Sequence, residues 1–91
     1  MSRARVSVAA QAPSRHRVAA AFGQVLRTLR EDAGLSQEAF AERAGMDRST
    51  PSTYERGLRQ PTLSYLFVIA LVLGTQPERL VSDTRARLES S

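Results

Sequence analysis

Ninety-one residues suffice for one domain with a small core, burying only about 60% of the surface its unfolded chain exposes. Cysteine is absent and His16 is the one histidine, which argues against disulfides, thiolate metal sites and zinc chemistry; no apolar run reaches the roughly eighteen residues of a membrane span and no signal-peptide core is recognisable, so a cytoplasmic protein without metal, cofactor or membrane partner is expected. The net charge of +4 comes from thirteen arginines and no lysine against nine acids: Arg3, Arg5, Arg15 and Arg17 precede every acid, and residues 18 to 91 balance at nine of each.

In chain order, residues 1 to 13 lack a stable apolar period and read as a flexible basic arm, either solvated or reaching into a DNA minor groove. A first helix is expected from a Ser14 cap to Gly34, with Val18, Phe22, Val25, Leu26, Leu29 and Ala33 as its buried stripe and Gly23 as a possible site of close packing. A second, from about Gln37 to Ala44, is capped by Ser36 and closed by Gly45; Phe40, Ala41 and Ala44 face inward, and Glu38, Glu42 and Arg43 outward. Gln37, at the helix start, is either a phosphate clamp or a plain polar first residue.

The connection after Gly45 is too short for anything but a tight turn, which makes a helix-turn-helix. The third helix carries Arg48, Ser49, Thr50, Ser52 and Thr53, residue types suited to base edges and phosphates, with Tyr54 as its large inward residue. Pro51 disfavours a regular helix through Thr50, so either the first turn is distorted or the helix begins later on a Ser49 or Thr50 cap; a start near Arg48 with a loosened turn is favoured. Arg48, Ser49 and Thr53 are the candidate base readers, and Gln37, Thr50, Ser52, Arg56 and Arg59 the candidate phosphate contacts.

Thr62 caps a fourth helix, Leu63 to Leu73, which ends at Gly74 and is apolar nearly all round. Leu66, Ile69, Ala70 and Leu73 supply a core stripe, which leaves Tyr65, Val68, Leu71 and Val72 for a second face. Pro77 opens a fifth helix with Leu80 and Val81 inward, and residues 84 to 91 form a tail or extension carrying Leu88. Tyr65, Val68, Leu71, Val72, Val81 and Leu88 form the expected dimer surface. The domain proper is expected over residues 14 to 83.

Leu26-Arg27-Thr28-Leu29-Arg30, Gly34-Leu35-Ser36-Gln37-Glu38, Ala41, Gly45, Glu55-Arg56-Gly57, Pro61-Thr62-Leu63, Ile69-Ala70 and Leu73-Gly74 together closely resemble the Cro/repressor-type, or XRE-type, helix-turn-helix family over residues 18 to 82. The resemblance implies an all-α, compact five-helix, lambda-repressor-like domain with the helix-turn-helix at helices 2 and 3. It implies a transcriptional regulator or repressor that binds double-stranded operator DNA as a homodimer, with Gln37 on phosphate, Arg48, Ser49 and Thr53 on base edges, and Arg30 paired with Glu55. The chain departs from the family at Pro51, where an aliphatic or β-branched residue is usual. The alternative is an antitoxin-type interaction module that neutralises a protein partner and represses its own operon. No enzymatic activity is expected, since no nucleophile–base pairing, carboxylate pair on an apolar wall or phosphate loop is evident.

Overall fold

A computed structural model describes residues 7–90, and among them it contains six helices and no strand. These are α1 (Val8–Gln11), α2 (Arg15–Asp32), α3 (Gln37–Ala44), α4 (Thr50–Glu55), α5 (Leu63–Leu73) and α6 (Pro77–Ser90). The sixth helix, relative to the five expected, is α1, one exposed turn capped by Ser7, whose Oγ accepts from the Ala10 amide. It buries nothing, so the domain itself remains five-helical. Arg3 and Arg5 of the expected arm lie outside the described residues.

Helices α2, α3 and α5 start where a hydroxyl accepts a free amide. Ser14, Ser36 and Thr62 accept from Arg17, Ala39 and Tyr65 at 3.0–3.1 Å, so each satisfies one orphan donor of α2, α3 and α5. Gly45 ends α3 at φ 67°, where a side chain would be strained, and the Met46 amide returns to the Ala41 carbonyl. That reversal aims the chain at α4 within a few residues.

The core joins Phe22, Val25 and Leu26 of α2 to Phe40, Tyr54, Ile69 and Leu80 of the other helices. The edge of one ring of Phe22 and Tyr54 meets the face of the other, with centroids 6.4 Å apart. Ala19 and Ala21 are also buried, whereas Ala33, expected in the stripe, is exposed because it caps α2 beyond the packed turns. Helix α6 runs unbroken past residue 83: Thr84 is buried, its hydroxyl donating to the Leu80 carbonyl, and Arg87 donates to Gln24 and Thr28 of α2. Residues 84–90 therefore take the form of a helix extension.

Gly23 sets the distance between α2 and α4. A Cβ there would lie 2.4 Å from the Tyr54 carbonyl oxygen and 2.8 Å from that of Glu55. Gly57, just past α4, also lies close to α2: its Cβ would stand 3.0 Å from the Cα of Ala20. Two glycines thus let the end of α4 lie directly on α2, and the orientation of α4 is fixed by backbone contact.

Candidate nucleic-acid interface

The site is built on a buried charge. Arg30, in the last turn of α2, is 8% exposed, and its guanidinium grips Glu55, the last residue of α4, in a two-pronged contact. Its Nε donates to Oε2 at 2.6 Å and its Nη2 to Oε1 at 3.0 Å, while Nη1 donates to the Leu35 carbonyl at 2.7 Å. The Gln37 side chain at the start of α3 donates from Nε2 to Glu55 Oε1 at 3.1 Å. One carboxylate thereby ties the end of α2, the start of α3 and the end of α4 together. The hydrogen bonds that Arg30 donates to Glu55 raise the Arg30 pKa above its usual value against the opposing effect of burial, so the guanidinium stays charged.

Pro51 resolves the start of the third expected helix in favour of the later onset. Regular α4 begins at Thr50, with Ser49 at the cap position but making no side-chain cap bond, so Arg48 lies in the preceding turn rather than in the helix. Proline is tolerated there because the first-turn amides have no intrahelical partner, and its ring is fully buried. The Thr50 amide bonds the Asp47 carbonyl, which closes the turn.

The expected readers meet at this end of the molecule. Arg48 and Ser49 are exposed and Thr53 is half-buried one turn on, its hydroxyl donating to the Ser49 carbonyl at 3.0 Å. With the hydroxyl proton so engaged, Thr53 can offer an outside group its methyl and an acceptor oxygen. Thr50 and Ser52 are half-buried, and Arg56 and Arg59 are exposed beyond the helix. Gln37 spends one N–H on Glu55 and keeps a second for an outside acceptor. Arg48 is also ion-paired with Glu38 in the first turn of α3, a contact that sequence reasoning misses because it treats Glu38 only as an outward charge.

Of the expected second face of α5, only Leu71 is exposed. Val68 and Val72 pack against the core and Tyr65 is half-buried, whereas Leu63, Phe67 and Leu71 are 72%, 55% and 81% exposed, joined by Val81 of α6 at 57%. Val81 thus points outward, not inward as expected. Sequence reasoning passes over Leu63 and Phe67; the successive steps of four from Leu63 to Phe67 to Leu71 are the signal for a single stripe. Two adjoining grooves, of about 350 and 650 Å³, share Leu63, Leu66 and Val81; the smaller reaches Leu88, half-buried against α2.

Residues 21–82 match the model of a family described as a helix-turn-helix domain. Over 62 residues the chain is 37% identical to an uncharacterized HTH-type transcriptional regulator, y4dJ, of Sinorhizobium fredii, which covers 68% of this chain and 80% of that protein. Among solved structures, the restriction-modification controller protein C.AhdI of Aeromonas hydrophila is 42% identical with a TM-score of 0.66, over 68% of this chain and 94% of that one. SinR, a master regulator for biofilm formation solved in complex with DNA, is 31% identical with a TM-score of 0.63, over 66% and 97%. With a buried Arg30 and Glu55 pair clamping a helix-turn-helix, and with this similarity over two thirds of its length, the chain belongs to the Cro/repressor-type helix-turn-helix family of DNA-binding transcriptional regulators, which are not enzymes.

Proposed function

We propose that this protein binds a palindromic operator as a homodimer and regulates transcription from it in the cytoplasm. Helix α4 and the turn before it enter the major groove, where Arg48 pairs with guanine and Ser49 and Thr53 make further base contacts, Thr53 through its methyl. Gln37, Thr50, Ser52, Arg56 and Arg59 meet the flanking phosphates. The observation that carries this reading is the arrangement around Glu55. It anchors the end of α4 and leaves Arg48 and Ser49 exposed, with Thr50, Ser52 and Thr53 half-exposed beside them.

The exposed stripe of Leu63, Phe67 and Leu71, with Val81 and the adjoining grooves, supports a second copy as its cover. A two-fold pairing through that stripe sets two reading units about one helical turn, ~34 Å, apart. Sizing the protein alone and on a duplex from its own upstream region tests this. Two protomers per duplex are expected; a monomer that stays monomeric on DNA refutes the dimer.

A further inference from the structure

An exposed ion pair between Glu38 and Arg48 links the first turn of α3 to the turn before α4. Glu38 stands beside Gln37 in the first turn of α3, where the helix N-terminus favours its charge. Its carboxylate meets the Arg48 guanidinium, which arises from the turn before α4 and has no other hydrogen bond or ion pair among the described residues. Both side chains are largely exposed, at 65% and 83%, so neither helps to hold the core together. An acid at a surface meant for a polyanion weakens binding to every phosphate it approaches. Here it faces the one arginine assigned to a base.

We infer that Glu38 is a specificity-determining positioning residue: its carboxylate holds the Arg48 guanidinium at the start of α3, away from phosphates, with the other N–H groups left open to a guanine edge. The inference rests on Arg48 as the base reader. On unrelated DNA no guanine stands in register, so Arg48 stays paired with Glu38 and adds no phosphate contact. On the operator its remaining N–H groups reach guanine O6 and N7. Glu38 therefore lowers affinity for the wrong sequence more than for the right one.

The test measures E38Q, R48A and the double variant on a duplex from the chain's own upstream region and on a scrambled duplex of equal length, across a salt series. E38Q is expected to strengthen binding to the scrambled duplex by up to about fivefold, from the coupling typical of exposed ion pairs. It should also steepen that duplex's plot of log K against log salt by about 0.9, one added phosphate contact. Operator affinity changes less, so discrimination falls. In the R48A background the same substitution shifts both duplexes by an equal factor. Discrimination that E38Q leaves unchanged or raises overturns the inference, as does an equal loss of discrimination with and without Arg48. If R48A alone leaves discrimination intact, the base-reading role itself fails, which is a distinct result.

Discussion

Gly23→Ala places a methyl group against the backbone of the reading helix. The added carbon would sit 2.4 Å from the Tyr54 carbonyl oxygen, whereas ordinary contact begins at 3.4 Å, so the end of α4 must recede by about 1 Å. The obstacle is peptide backbone, which cannot swing aside as a side chain would, so the cost falls toward the upper end of the overpacking range, ~3 kcal/mol. Alanine returns ~1 kcal/mol through its better helix propensity. The net loss is ~2 kcal/mol, or roughly 8–16 °C in melting temperature for a domain of this size. Because Glu55 sits at the same point, the recession also loosens its 2.6 and 3.0 Å bonds to Arg30, and operator affinity should drop even where the variant is fully folded. Urea and thermal denaturation read the first effect and operator binding at low temperature the second. A variant as stable as the parent, or more stable, would show that α2 and α4 do not touch at Gly23.

Three further substitutions, at Arg30, Glu55 and Tyr54, test the buried polar groups. Arg30→Met strands the Glu55 carboxylate, only 5% exposed, and should cost ~3–5 kcal/mol in urea denaturation, whereas Arg30→Met with Glu55→Met should recover most of that loss; a double variant no better than the single would mean the pair itself is strongly stabilising. Tyr54→Phe removes a hydroxyl that is buried without a hydrogen-bond partner among the described residues, so stability should hold or rise, by up to ~1–3 kcal/mol, and a clear loss would reveal a partner for that oxygen. Burial also raises the Tyr54 phenol above its ordinary value of 10.0, with Arg59 pulling the other way. The parent's stability is therefore undiminished by this group below pH 10.0 and is lost as pH rises through the higher folded value, an alkaline loss that the phenylalanine variant should lack.

Much of the architecture is legible in the sequence because it is written in local chemistry. Ser14, Ser36 and Thr62 cap helices, and Gly45 and Gly74 close them through geometry that few other residues adopt. Pro51 is harder, since its ring disfavours a regular helix through Thr50 without saying on which side the helix resumes; burial of the ring settles it by holding the first turn at Thr50. The orientation of α5 is hidden for a different reason. A helix that is apolar on nearly every side has no periodicity to mark its inner face, so only packing against α2, α3 and α6 shows that Val68 and Val72 turn inward and Phe67 outward. The contact between Glu38 and Arg48 joins residues on two elements whose relative orientation is set by Gly45 and Pro51. Spacing along one helix cannot reveal it.

The central claim is that the turn before α4 and its outer face select a DNA sequence. It is tested most directly by the affinity of the parent and of Arg48→Ala for the chain's own upstream region and for a scrambled duplex at one fixed salt concentration. The parent should favour its own region by about 10³ or more, and loss of Arg48 should remove roughly 5- to 150-fold of that preference, the weight of one bidentate arginine–guanine contact. Equal affinity of the parent for both duplexes would contradict the account.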